Sequence, residues 1–228
     1  MDTHCHVSVL SQVTSNQLCL SSIYPQDFEI IQNSSDERIF ARGFGLHPHF
    51  AHLFTDSLQS QISNLLIQTK NSFVSEIGIE MRQQYLEQNP LPLQFSVFRK
   101  LLRLAFTLNK TVQIHVVSRG TGCYPQILEE LVQLKNEFGV EQLVIFHSYS
   151  GSWEQFQQIK KKYNNVLIGV SYLNFESKHV QKFVDSGVVI LESDYTDGDY
   201  SEIWSKVANL QEKVKPAEEK FKNTIIQQ

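Results

Sequence analysis

Short apolar runs recur along the chain, separated by longer stretches whose apolar positions fall at helical spacing. The runs VQIHVV, LVIFHS, VLIGVS and VVILES are rich in Val, Ile, Leu and Phe and do not alternate strictly. Continuous apolarity of that kind suits parallel strands buried on both faces. The pattern predicts strands at 2–6, 17–23, 38–45, 72–77, 111–117, 142–147, 165–170 and 187–192.

Between the strands, 92–109 reads as a helix. Pro92 suits a first turn, and Phe95, Phe98, Leu102, Ala105 and Phe106 then recur on one face. Ser152 with Gln155 three residues on predicts a capping box and another helix start. From about residue 210 a charged stretch broken by Pro216 predicts a terminal helix with a fraying end. Strand–helix alternation implies a parallel sheet, and eight strand candidates favour closure. The expected class is α/β, a TIM-like (β/α)8 barrel with its site at the C-terminal ends of the strands. No repeat, low-complexity block or linker interrupts 1–228, so a single domain is expected.

Composition leaves that picture standing. Hydrophobic residues make up 41% and charged residues 19% of the 228, enough apolar material for a full core and too much for disorder. The formal charge of −4, from 20 basic and 24 acidic residues, does not mark a general nucleic-acid binder. Cations held in a cleft would add positive charge that residue counting misses. Cys5, Cys19 and Cys123 show no C-x-x-C spacing, which excludes a zinc ribbon or disulfide scaffold and suits a reducing compartment. The opening MDTHCHV has neither a basic leader nor a long apolar run. The expectation is therefore a cytoplasmic protein, with the nucleus as alternative, no membrane span and no obligate protein partner.

The chemistry begins at His4 and His6. Residues two apart on a strand point to one face, while Cys5 points the other way. Two adjacent imidazoles there read as metal ligands, or as a hydrogen-bonded core pair. Glu76, His115, His147 and Asp194 lie at or near the carboxyl ends of other predicted strands. Taken singly, Glu76 or Asp194 could cap a helix, and His115 or His147 could be satisfied core groups. Six such residues at one rim would be costly to bury without a cation.

In order and spacing, DTHCHV, GFGLHPHF, SEIGIE, FHSYSGS and LESDYTD resemble the motif blocks of the TatD-related metal-dependent deoxyribonucleases. The resemblance runs from residue 2 to about 195. It implies an amidohydrolase-type barrel holding two divalent metal ions. His4, His6 and Asp194 match the ligands of one ion, His115 and His147 those of the other, and Glu76 the carboxylate that bridges them. It also implies hydrolysis of a phosphodiester by a metal-activated water, typically as an exonuclease on DNA. Two cations about 4 Å apart can acidify a water and clamp phosphate oxygens. Asp194 is the expected proton acceptor and, with Glu76, the expected catalytic pair. The mixed His/carboxylate set suits zinc or manganese, and magnesium less well.

His47 and His49 occupy a matching block, contacting the substrate phosphate or, for His47, supporting the ligand shell from outside, or else shaping a turn around Pro48. Gly151 and the capped helix start beside His147 could hold an anion, or simply begin a helix. Glu80 stands where the family block has aspartate, and Arg119 lies four residues after His115 where the family places arginine two after. With His47, these are the expected substrate contacts. SDYTD lacks the family's proline, Asp197 and Asp199 add negative charge there, and the last family helices look reduced. The leading expectation is a two-metal-dependent DNase acting as a 3′ exonuclease, with DNA or another phosphodiester as substrate. The alternatives are a hydrolase of a small amide, lactone or phosphoester on the same barrel, and a non-catalytic binding protein.

Overall fold

Among the described residues, eight strands, all parallel and in sequential order, form one sheet. They are β1 (Asp2–His6), β2 (Leu18–Ser21), β3 (Ile39–Phe44), β4 (Ser72–Glu80), β5 (Val112–Val117), β6 (Val144–Phe146), β7 (Val166–Val170) and β8 (Val189–Leu191). The computed structural model describes residues 1–118, 122–194 and 199–228. Around the sheet run α1 (Asp27–Asn33), α2 (Asp56–Gln68), α3 (Gln83–Leu86), α4 (Leu91–Thr107), α5 (Tyr124–Phe138), α6 (Trp153–Lys162), α7 (Val180–Asp185), α8 (Tyr200–Ala208) and α9 (Gln211–Ile226). The architecture is the expected TIM barrel, nearly closed. Among the described residues, no helix is long and apolar enough to cross a membrane.

The seam between β8 and β1 is tied by side chains. Thr3 Oγ1 donates to the Leu191 carbonyl at 2.8 Å, and the Asp194 N–H donates to the His4 carbonyl at 3.1 Å. Buried Asp2 accepts from the Ser193 N–H at 2.9 Å and from the Tyr200 hydroxyl at 2.8 Å. Closure of the barrel and placement of His4 and Asp194 are therefore one event.

Helix α4 forms where the spacing places it, with Val97, Phe98, Leu101, Leu102, Ala105 and Phe106 buried against the sheet. Each of these side chains larger than Ala105 contributes about 1.5–3 kcal/mol by leaving water. The helix stops at Thr107, short of 109, because Asn109 takes a left-handed conformation (φ 54°). Helix α6 begins as expected, with Ser152 Oγ accepting from the Gln155 N–H.

Two differences from the sequence reading matter. Strand β4 runs to Glu80, three residues beyond the expected 77, because Ile77, Gly78 and Ile79 continue the ladder opposite Ile114, His115 and Val116. Gly78 is required there: at φ 152° a β-carbon would come 1.9 Å from the His115 carbonyl oxygen. The stretch expected to fray is instead helical almost to its end. Helix α9 continues through Pro216, and Val214, Ala217, Phe221 and Ile225 form a buried stripe at helical spacing. Phe221 packs against Phe40 and Phe73 near the starts of β3 and β4. That face covers the end of the barrel opposite the site.

Candidate metal centre

The strand ends converge on Glu76. Its Oε1 lies 2.7 Å from both His115 Nδ1 and His147 Nε2, and 3.6 Å from His47 Nε2. Its Oε2 lies 3.5 Å from His4 Nε2. His4 Nε2 and His6 Nε2 are 3.3 Å apart, and His6 Nε2 is 3.7 Å from Asp194 Oδ1. All six expected ligands thus meet at one mouth of the barrel. Among the described residues, three sets of donor atoms lie close enough to hold an ion: His4, His147 and Asp194; His4, His6 and Glu76; His47, Glu76 and His115. His47 therefore sits inside the ligand cluster, closer to the centre than a substrate contact alone requires.

The backbone aims these groups. Asp194 (φ 48°) and Ser148 (φ 40°) both take left-handed conformations just past β8 and β6, uncommon for residues other than glycine. The turn at Asp194 brings its carboxylate back over the mouth, where the Ser148 hydroxyl hydrogen-bonds Oδ2.

Each histidine also has a group behind it. His4 Nδ1 donates to Gln113 Oε1 at 2.9 Å, an acceptor that also takes the hydroxyls of Ser75 and Ser21. The Gln113 amide donates to the Thr3 carbonyl at 2.7 Å, which fixes its orientation. With its proton on Nδ1, His4 turns a bare Nε2 toward Glu76. His6 Nδ1 faces the Ser21 carbonyl at 3.4 Å. Sequence reasoning missed Gln113, although it shares a strand face with His115 and a polar side chain on that face was the available signal.

Glu80 ends β4 fully buried, so it lies beneath the cleft wall and not in it. It accepts from Arg82 Nε at 2.9 Å and pairs with His49 Nε2 at 3.2 Å, while His115 Nε2 stands 3.5 Å away. His49 stacks on Tyr85 at 3.5 Å between ring centroids. Arg119 and Asp197 lie outside the described residues. Asp199 caps α8, accepting from the Ser201 N–H at 2.8 Å, and its carboxylate is engaged there.

Burial would raise the Glu76 carboxyl, but His147, His47 and the His115 hydrogen bond outweigh it and hold it well below the usual carboxylate range. Burial likewise opposes ionisation of Asp194, and His147, His6 and His4 together push it below the usual range. Burial and neighbouring His115 drive His47 well below an ordinary imidazole. Two carboxylates buried this way are costly unless positive charge sits beside them, from the rings or from a cation. Converging nitrogen and oxygen donors fit a borderline divalent cation such as zinc or manganese.

The cluster opens into a cleft of about 620 Å³ whose walls include Arg82, Tyr85, Tyr172 and Leu173. A larger groove, about 940 Å³, runs between α5 and α6 past Tyr124, Leu128 and Ile159. Its described lining contains no histidine, whereas the histidine–carboxylate cluster lines the smaller space.

Comparison with known proteins agrees with this geometry. The model of the TatD related DNase family matches residues 1–223. The chain is 25% identical over 222 residues to the human 3'-5' RNA nuclease TATDN2, covering 85% of this chain and 28% of that protein. It is 23% identical over 199 residues to the uncharacterized metal-dependent hydrolase MJ1582 of Methanocaldococcus jannaschii, covering 82% and 73% respectively. The chain thus spans little more than a quarter of the human relative. Among solved structures, YjjV, a TatD homologue from Escherichia coli K12, superposes with a TM-score of 0.72 at 15% identity, over 99% of this chain and 96% of that one. An uncharacterized amidohydrolase from Saccharomyces cerevisiae gives 0.61 at 14% identity, over 90% and 75%. At such identities these two likenesses establish the fold.

Proposed function

The chain belongs to the TatD-related DNase family of metal-dependent hydrolases, and on that premise we propose that its cleft is the centre of a two-cation phosphodiesterase acting as a 3′ exonuclease on DNA. The observation that carries this reading is Glu76, with four imidazoles within 3.6 Å of its two carboxylate oxygens. One carboxylate so surrounded can serve two ions at once. His4, His6 and Asp194 would hold one, His115 and His147 the other.

Bound there, divalent cations would supply Lewis-acid polarisation of a phosphoryl oxygen and a more acidic water. The chain's own residues do the rest. Asp194 Oδ2 is anchored by the Ser148 hydroxyl, and Oδ1 faces the His4 and His6 nitrogens. Held ionised, Oδ1 is the acceptor for the proton that an attacking water gives up. Gln113 keeps the His4 proton on Nδ1, which leaves Nε2 bare for a cation. Arg82 and Tyr85, at the cleft wall, are placed to meet the backbone and base of a strand end.

The human relative's name specifies RNA and 3′-to-5′ polarity, which makes RNA the second reading of the same site. The test is digestion of DNA and RNA oligonucleotides labelled at either end, with manganese, magnesium or zinc added to metal-stripped protein. Cation-dependent shortening of DNA from its 3′ end supports the proposal. Shortening of RNA alone favours the second reading, and no cleavage of either with any cation overturns both.

A further inference from the structure

Behind the cluster, on the side away from the cleft, two buried polar atoms have no hydrogen-bond partner among the described residues: His147 Nδ1 and Glu192 Oε1. Glu192 follows β8 and is fully buried. Its Oε2 accepts from the Ser148 N–H at 2.8 Å and lies 3.7 Å from His147 Nδ1. Asp194 Oδ2 is farther from that nitrogen, at 3.9 Å, and is occupied by Ser148.

Room for this carboxylate has to be made in the neighbouring strand. A β-carbon added to Gly169 on β7 would lie 1.9 Å from Glu192 Oε2 and 2.0 Å from its Cδ. Any side chain at 169 would evict the carboxylate. The sequence reading gave neither residue a role.

A buried carboxylate with unused acceptor capacity is unfavourable unless a donor faces it. The donor within reach is the His147 ring at Nδ1. An imidazole whose proton sits on Nδ1 turns the bare lone pair of Nε2 the other way, here toward Glu76. We propose that Glu192 is a positioning residue that fixes the ring and proton of His147 for cation binding, and that Gly169 is side-chain-free to make room for it. The inference rests on His147 being a cation ligand, as proposed above. Glu192 acts through His147 and Ser148 and touches neither substrate nor cation. It completes a pattern, because Gln113 does the same for His4.

The experiment is a cobalt(II) titration of metal-stripped protein, read by visible absorption and chelator competition, with the melting temperature of each stripped protein measured alongside. Wild type is expected to take up two ions. Glu192→Gln, which keeps the shape and one acceptor oxygen, lowers affinity for one ion about tenfold, and Glu192→Leu lowers it by up to about 100-fold. Gly169→Ala weakens that same ion, because its methyl group displaces the carboxylate. The other ion keeps its affinity, and stripped Glu192→Gln melts within a few degrees of stripped wild type. Unchanged affinities in all three variants overturn the inference. So does equal loss of both ions with a lowered melting temperature, which would make Glu192 merely structural. If wild type itself binds no cobalt, the ligand assignment fails first, an outcome distinct from both.

Discussion

The carboxylate of Glu76 meets Nε2 of His147 at 2.7 Å across the mouth of the barrel. The same oxygen is 2.7 Å from His115, and the other oxygen turns to His4. One side chain from β4 thus joins groups delivered by β1, β5 and β6. Glu76→Ala is expected to lower hydrolysis by at least about 10²-fold and to weaken both cations together. Elemental analysis of the purified variant checks this, and full occupancy with normal turnover would show that Glu76 bridges nothing.

Asp194→Asn should separate chemistry from architecture. The amide oxygen still accepts from Ser148, and the Asp194 N–H still bonds the His4 carbonyl, so the seam holds. What is lost is an ionised proton acceptor, worth about 10²–10⁴ in rate. The expected result is slow turnover in a protein that melts within a few degrees of wild type. A protein that fails to fold would mark Asp194 as structural.

The opposite end of the barrel predicts the reverse pattern. Phe221 on α9 is fully buried against Phe40 and Phe73. Phe221→Ala should lower stability by about 3–5 kcal/mol while leaving cation uptake by the folded protein intact. Denaturant unfolding paired with a metal titration measures both. Loss of a cation in still-folded protein would mean that the two ends are coupled in a way these contacts do not suggest.

Alkaline pH should unfold the chain. Burial raises the phenols of Tyr124, Tyr149, Tyr163 and Tyr200 above the ordinary 10. It also raises the Cys123 thiol from 9.0 to about 11 and the Cys19 thiol further. A raised folded value means that the unfolded chain releases its protons first. Stability is therefore fully present below about pH 9 and is lost as pH rises, each group removing about 1.4 kcal/mol per pH unit between its two values. Absorbance at 295 nm should show four tyrosines ionising together with loss of far-ultraviolet dichroism. Smooth ionisation of all eight in folded protein would contradict the burial.

Most of the barrel was legible because strands buried on both faces leave continuous apolar runs, as in VQIHVV and VVILES. The six residues that meet at the mouth were legible as candidates because metal chemistry uses few residue types, and strand ends are where such barrels place them. The supporting shell was not. Gln113 lies in none of the motif blocks and Glu192 sits in LESDYTD without a role that the pattern assigns; what each faces is set by β1, β6 and β7. The end of the chain misled for a related reason. Pro216 and the charges of α9 suggest fraying, and only the facing residues of β3 and β4 explain why Phe221 is buried.

The central claim, that four histidines and two acids grip a pair of cations, is tested most directly by anomalous X-ray scattering from crystals grown with manganese or zinc. The account predicts two peaks flanking Glu76, one bounded by His4, His6 and Asp194 and the other by His115 and His147. A single peak, or peaks away from Glu76, would contradict it.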